Sequence, residues 1–360
     1  MARTSRSTPP MTTSQIRDLI ATQPRVALAC LPTPLQEASR LSSVLGGPRI
    51  FIKRDDLTGL AFGGNKTRNL EFRMVQPVRD EANVLIMALE ITSNSARQTV
   101  AAGNKLGMRT VLVLKGERPD VLQGNLLLNH LLGAEVHYAR DTEEQKQIIE
   151  SVADSVRRAG ERPMVLTSEP IFDIGSALAY LESTVELIEQ LQALGTAPDY
   201  LYMTSGGKGQ AGLVLAKRLL QAPFRVHGIT VSHEYDVKPR TAQIANDTLA
   251  HLGVGLEIDP SEVVSFSEFV GPGYGHLTSQ GLAAVELMAR TEGVVLDPIY
   301  TGKSFAALLD HIERGVVPRD ATVVFVHTGG TPAVFTHAEA ILAHLSGHGE
   351  TDHTPVTVDA

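Results

Sequence analysis

Val84-Leu85-Ile86-Met87-Ala88-Leu89, the amphipathic stretch from Ser95 to Leu106, and Thr110-Val111-Leu112-Val113-Leu114 follow one another along the chain. The two apolar runs are short, unbroken and aliphatic, as strands covered on both faces must be. The stretch between them has the length of a helix and stops at Gly107, a residue type that ends helices without steric cost. Strand, helix and strand in close succession predict a parallel sheet covered by helices. The rhythm continues toward the C-terminus. A helix is predicted from Val121 to Leu132, stopping at Gly133, then a strand at Val136-His137-Tyr138, a charged helix from Glu143 to Arg158 and a strand at Met164-Val165-Leu166. A long helix from Ile174 to Leu194, a strand at Tyr200-Leu201-Tyr202-Met203, a glycine loop and a helix from Gln210 to Leu220 come next. A strand from Val226 to Val231, helices from Thr241 to Leu252 and Thr278 to Arg290, a strand from Thr322 to His327 and a helix from Ala333 to Leu345 complete the pattern.

The chain has 360 residues, room for about two domains at roughly 150 residues each. Its 32 Lys and Arg against 40 Asp and Glu give a formal charge of −8, which argues against nucleic-acid binding. Hydrophobic residues make up 43%, enough for a sizeable core, so wholesale disorder is not expected. The single cysteine, Cys30, rules out a disulfide framework and a multi-cysteine zinc site, and reads as a buried small hydrophobe. No apolar run reaches the ~18 residues of a membrane span. Met1 to Thr13 is polar and lacks the apolar core of a secretory signal, so it reads as a disordered tail on a cytoplasmic protein. With 31 glycines and no tryptophan, the composition suits an α/β enzyme with many tight turns.

Four glycine-bearing turns feed helices: Gly63-Gly64, Gly206-Gly207-Lys208-Gly209, Gly302 and Gly329-Gly330. Backbone N–H groups at a helix mouth attract anions. Thr204-Ser205-Gly206-Gly207-Lys208-Gly209-Gln210 follows a strand and opens a helix, which favours phosphate binding over a plain turn. It matches neither the dinucleotide nor the P-loop pattern, and by itself names no cofactor. Gly63-Gly64-Asn65-Lys66 puts a lysine just after a glycine turn, in a positive backbone field that favours the neutral amine. A neutral lysine suits Schiff-base chemistry, and an ordinary exposed helix lysine is the alternative. Thr92-Ser93-Asn94-Ser95 would suit a substrate carboxylate at a helix N-terminus, although taken alone it reads as a simple N-cap. His130, His137 and His227 are scattered without ligand spacing, so no metal is expected. No Gly-x-Ser-x-Gly elbow exists.

Gly63-Gly64-Asn65-Lys66-Thr67-Arg68 with Leu70-Glu71 resembles the lysine motif of the pyridoxal-phosphate-dependent D-cysteine desulfhydrase / 1-aminocyclopropane-1-carboxylate (ACC) deaminase family. The resemblance continues through Leu31-Pro32-Thr33-Pro34-Leu35, Ile52-Lys53-Arg54-Asp55-Asp56, Ser93-Asn94 with Arg97-Gln98, and Gly124-Asn125-Leu126-Leu127-Leu128. It resumes at Gln210-Ala211-Gly212-Leu213, Leu296-Asp297-Pro298-Ile299-Tyr300-Thr301-Gly302-Lys303 and His327-Thr328-Gly329-Gly330. It implies a tryptophan-synthase-β-like α/β fold of two open parallel or mixed sheets with helices on both faces, a small domain inserted in a larger one. Residues 15–66 and 176–346 would form the large cofactor-binding domain and 67–175 the small one, with a disordered tail over 1–14 and a loose one over 347–360. The resemblance implies pyridoxal 5'-phosphate as cofactor, a small amino acid as substrate and a homodimer as the assembly. Lys66 then resembles the lysine that holds the cofactor and returns as base for the Cα proton. Ser93, Asn94 and Ser95 match the stretch that grips the substrate carboxylate, with Asn94 also near the cofactor ring. Ser205, Gly206, Gly207, Lys208 and Gly209 match the phosphate-binding loop. Tyr274 and Tyr300 match two active-site tyrosines, for which core packing is the alternative.

Within that family, ACC deaminases resemble one another in carrying Glu and Leu where this chain has Thr301 and Thr328, which are the desulfhydrase-like choices. A neutral hydroxyl near the pyridine nitrogen gives a weaker electron sink than a carboxylate, and that suffices when a good leaving group departs from Cβ. The expected reaction is therefore α,β-elimination, giving 2-aminoacrylate and then pyruvate and ammonia, as in D-cysteine desulfhydrases. L-Cysteate sulfo-lyase and diaminopropionate ammonia-lyase activities are the alternatives, with ACC deaminase further off and a lapsed ligand binder as the non-enzymatic reading. Thr92, Ser95 and the stretch Ser168-Glu169-Pro170-Ile171-Phe172-Asp173 depart from the family pattern around the pocket. A further pair of departures is Asn69, where a lysine is usual, and Lys208 in the glycine loop. Lys208 is expected to replace the missing charge on the cofactor phosphate, the alternatives being solvent or an anionic substrate. Asp55-Asp56 is expected to hold the loop before the lysine.

Overall fold

The computed structural model of the chain describes residues 9–166 and 169–347. Ten strands make two sheets. β1 (Leu35–Glu37), β2 (Arg49–Lys53), β7 (Tyr200–Thr204), β8 (Arg225–Ile229), β9 (Val264–Phe266) and β10 (Thr322–Val326) form a six-stranded sheet in the order β1-β2-β10-β7-β8-β9. Only β1 runs antiparallel to its neighbour. β3 (Val84–Glu90), β4 (Arg109–Lys115), β5 (Glu135–Ala139) and β6 (Pro163–Val165) form an all-parallel sheet in the order β5-β4-β3-β6.

The unbroken apolar runs are explained by cores on both faces of each sheet. Side chains alternate along a strand. Leu201 and Met203 of β7 thus enter one core with Val324 and Val326 of β10, while Tyr200 and Tyr202 enter the opposite core with Val323 and Phe325. In the smaller sheet Leu85 and Met87 point to one side with Leu112 and Leu114, and Val84 and Ile86 to the other with Val111.

Helices Asn94–Lys105, Thr142–Arg158, Lys208–Leu220 and Ser279–Glu292 lie close to their expected bounds. Others differ for local reasons. The helix expected from Ile174 begins at Pro170, and the one expected from Thr241 begins at Val237. The helix expected over 121–132 is only Gly124–Leu131, because Gln123 is still extended at its N-cap. The final helix breaks at His337 into Ala333–Thr336 and Ala338–Gly347. The expected N-terminal tail ends sooner than residue 14, since Thr12 caps a helix at Thr13–Ala21 through a reciprocal bond pair with Gln15. Residues 1–8 and 348–360 of the two expected tails lie outside the described residues, as do Thr167 and Ser168. Cys30 is corrected from buried to exposed. Its loop packs over Gly59, where a Cβ would lie 2.8 Å from the thiol sulfur.

A buried ionic group fixes the helix Asn65–Arg73 to the larger sheet. Arg68 donates to Asp55 at 3.0 Å and to Glu186 at 2.9 Å, Lys53 of β2 pairs with Glu186, and Thr33 donates to Asp55 at 2.8 Å. Two cations thus face two carboxylates, the condition under which charges tolerate burial. Burial opposes the charge on Arg68, but Asp55 and Glu186 outweigh it and raise its pKa. Asp55 holds the loop before the lysine as expected, and Asp56 is fastened to Arg54 at 2.7 Å.

Candidate active site

The site lies outside the C-terminal ends of β3, β7, β8 and β10, the edge at which open α/β sheets bind ligands. On one side is the glycine turn before Lys66. Gly63 and Gly64 have φ of 63° and 121°, and a Cβ on Gly63 would sit 2.0 Å from the Asp56 carbonyl oxygen, so no other residue makes this turn. A Cβ on Gly329 would sit 2.6 Å from the Gly64 Cα, which brings the turn after β10 directly against the lysine turn. The Asn65 N–H donates to the Thr328 carbonyl at 2.9 Å. Lys66, the second residue of its helix, stands half-buried on the cavity wall. Its pKa is lowered to about 8, first by burial and then by the cations Lys208 and Arg73. The direction is the one expected, but burial leads where the sequence pointed to the helix mouth.

Ser93 caps the helix Asn94–Lys105, accepting from the Ser95 N–H at 3.2 Å. Ser93, Asn94 and Ser95 all reach the cavity. Asn125 donates to the Asn94 side-chain oxygen at 2.8 Å and accepts from Arg97 at 2.9 Å, and Arg97 donates to the Gly63 carbonyl at 3.2 Å. This chain of bonds ties the Ser93-Asn94-Ser95 stretch to the lysine turn. Gln98 adds a second tie, accepting from the Thr67 N–H at 2.8 Å.

β7 leads into Ser205-Gly206-Gly207 and the helix Lys208–Leu220. Ser205 accepts from the Gly207 N–H at 3.1 Å and donates to Gln210 at 2.6 Å, which fixes the loop. A Cβ on Gly206 would meet only the Tyr235 hydroxyl, at 3.2 Å, so the loop is open toward the cavity. Ser205 and Gly206 line the cavity, and Gly207, Lys208 and Gly209 stand behind it. The Lys208 amine pairs with Asp173 at 2.5 Å, and Arg240 stands 3.7 Å from the same carboxylate. Burial lowers the Lys208 pKa, as does Arg73, while Asp173 opposes them.

On the same cavity, Tyr274 and Tyr300 share a hydrogen bond between their hydroxyls. Burial raises both phenols' pKa values; the Tyr300 hydroxyl is raised further by Tyr274, Asp297 and Glu90. Asp297 positions Tyr300, accepting from its N–H at 2.7 Å and from that of Ile299 at 2.9 Å. Thr301, expected at the cofactor, donates its hydroxyl to Asp297 at 2.8 Å and lies off the cavity wall, whereas Thr328 lines it. Glu90, Glu234 and Tyr235 also line the cavity and were missed in the sequence. The available signal was position: Glu90 ends β3 and Glu234 lies just past β8, at the edge where such sheets carry sites.

The cavity encloses about 290 Å³, near the lower end of small-molecule sites. A lowered-pKa lysine and an open helix-mouth loop, with the cations Lys208, Arg240 and Arg73 behind that loop, fit an aldehyde-bearing phosphate compound. The matched family is described as "Pyridoxal-phosphate dependent enzyme" and covers residues 26–329, so the chain belongs to the pyridoxal-phosphate-dependent enzymes and takes that cofactor. Among its relatives are a D-cysteine desulfhydrase of Serratia proteamaculans, 35% identical over 89% of this chain and 98% of that protein, and one of Yersinia pestis, 37% identical over 87% and 96%. A solved ACC deaminase homologue superposes with a TM-score of 0.81 at 32% identity, covering 91% of this chain and 98% of the other. An Escherichia coli diaminopropionate ammonia lyase, at 15% identity and a TM-score of 0.63 over 93% and 92% of the two chains, shares the fold. These matches agree with the resemblance and with the α/β architecture of two parallel-dominated sheets expected from it. No helix among the described residues is long and apolar enough to cross a membrane.

Proposed function

We propose that the chain is a lyase that performs α,β-elimination on a small amino acid, with D-cysteine as its substrate. In balance, zwitterionic cysteine and a water molecule give hydrogen sulfide, pyruvate and ammonium. The Cα–H and Cβ–S bonds break, the sulfur leaves with its bonding pair and takes up a proton, and water displaces the nitrogen of the released 2-aminoacrylate. The observation that carries this reading is one cavity lined both by Lys66 and by Tyr274 and Tyr300, whose hydroxyls are paired. The desulfhydrase relatives, together with the hydroxyl of Thr328 on the cavity wall, favour elimination over cyclopropane opening.

Lys66 would hold the cofactor, the loop Ser205 to Gly209 its phosphate, and Asn94 and Thr328 its ring. Bound there, pyridoxal phosphate supplies an electron sink for the pair left at Cα. Ser93, Asn94 and Ser95 hold the substrate carboxylate at a helix N-terminus, where the dipole favours an anion. The Lys66 amine, held toward its neutral form, removes the Cα proton. Tyr274 and Tyr300, kept protonated, give a proton to the departing sulfur. The division into a large domain of 15–66 with 176–346 and a small domain of 67–175 belongs to this reading, as does a cytoplasmic setting. So does a homodimer, for which the exposed Leu127, Leu131, Phe335 and Leu342 offer apolar surface.

The test is keto-acid release by purified holoenzyme from D-cysteine, L-cysteate, β-chloroalanine, diaminopropionate and ACC. D-Cysteine is expected to be turned over and ACC not, and Lys66→Ala is expected to abolish both turnover and the cofactor's absorbance band. Preferred turnover of ACC, or an intact band in Lys66→Ala, overturns the reading.

A further inference from the structure

Charge of opposite sign flanks the cavity. Behind the glycine loop, off the cavity wall, Lys208, Arg240 and Arg73 gather around Asp173. At the tyrosine end two carboxylates, Glu90 and Glu234, stand on the wall. The cation beside them is Lys115 at the end of β4, which pairs with Glu90 at 2.6 Å and feels the charge of Glu234 as well. Glu234 is held to the wall by its backbone N–H, which donates to the Ser232 hydroxyl at 3.2 Å. Beneath the tyrosines, Asp297 faces the buried Lys303, whose amine donates to the Val270 carbonyl at 2.7 Å. Those two charges cancel, and the tyrosine end keeps one surplus negative charge.

This asymmetry decides where a second anion could go. On the elimination reading the glycine loop holds the cofactor phosphate, and the N-terminus of the helix Asn94–Lys105 holds the substrate carboxylate. A substrate's distal group must then face Tyr274, Tyr300 and the two glutamates. We infer that Glu90 and Glu234 are specificity-determining residues that restrict the leaving group at Cβ to a neutral or cationic one, a thiol or an amine, and exclude a sulfonate or other anion. The inference rests on the elimination reading above and narrows its substrate class. An amine leaving group obeys the same balance: 2,3-diaminopropionate with both amines protonated, plus a water molecule, gives pyruvate and two ammonium ions.

The experiment measures kcat/KM of the holoenzyme for cysteine, 2,3-diaminopropionate and cysteate, each as both enantiomers. The parent is expected to prefer the first two over cysteate. Each of Glu90→Gln and Glu234→Gln is expected to lower the diaminopropionate-to-cysteate ratio about tenfold, as loss of one charge near the reacting group would. Lys115→Met, which adds to the negative surplus, is expected to move that ratio the other way. It carries the test should a glutamate variant fail to fold. Cysteate as the parent's best substrate, or a ratio that moves less than about threefold in every folded variant, overturns the inference and leaves the elimination reading standing. Absence of pyruvate from all three substrates overturns the elimination reading itself.

Discussion

Lys66 owes its chemistry to its surroundings. Burial and the neighbouring cations Lys208 and Arg73 bring its pKa to about 8, so at neutral pH a useful fraction of the amine is free to attack an aldehyde. Cofactor uptake by the apoprotein is therefore expected to quicken with rising pH around a midpoint near 8, and stopped-flow absorbance would record it. Lys208→Met removes one source of repulsion and should raise that midpoint. A parent midpoint near the ordinary lysine value would contradict the description of the site. Lys208 also shows what a sequence conceals at this scale. Its presence in the loop and the absence of a lysine at Asn69 were legible, but not the direction of a long flexible side chain. That direction is set by Asp173, in the first turn of a helix that the sequence did not begin there. Lys208 would serve the phosphate from within its ion pair with Asp173, and unchanged cofactor affinity in Lys208→Ala would remove it from that role.

The next scale is that of elements held in register. Asn125 opens into the site only indirectly, yet it joins the helices Gly124–Leu131 and Asn94–Lys105 and, through Arg97, the Gly63 turn. Arg97 is fully buried, and burial draws its pKa down to about 10. Asn125→Ala leaves Arg97 short of an acceptor and should cost about 1–3 kcal/mol, read as a lower denaturant midpoint. Asn125→Asp keeps the acceptor for Arg97 but loses the donor to Asn94. It should retain more of the stability than Asn125→Ala and still lower kcat/KM; equal stability loss in both variants would sink this division of labour. The strands and glycine turns around these helices were legible because their apolar runs and φ-positive residues leave few alternatives. Two helix starts were not, for one shared reason. Pro170 and Pro239 sit in the first turns of their helices, where the missing N–H costs nothing, yet in sequence a proline reads as a break. The helix Thr301–Glu313 was not legible either, because its first residues belong to the site's motif.

The whole molecule meets acid through one core of its larger sheet. His227 on β8 is 4% exposed and lies edge-on among Tyr200, Tyr202, Phe266 and His311. Its Nδ1 has no partner among the described residues. Burial lowers its pKa to about 4, and His311, Arg225 and Lys217 push in the same direction. His311 is lowered too, mainly by burial, and its Nδ1 shares a hydrogen bond of 2.7 Å with the Tyr202 hydroxyl. In the unfolded chain a histidine titrates near 6.5. Below that pH the unfolded state takes up a proton that folded His227 refuses, so stability falls as the pH drops. The loss begins near 6.5, continues to the folded value near 4 and then levels off, since both states are protonated below it. A gap of that size corresponds to roughly 3 kcal/mol from this one side chain. Carboxylates titrate across part of the same window, so the informative quantity is a difference. His227→Phe, which keeps the ring in its aromatic setting, should show a shallower decline of urea midpoint between pH 6.5 and 4 than the parent. Parallel curves for the two proteins would mean that the imidazole is solvated or paired in the folded state, and that acid unfolding starts from another group.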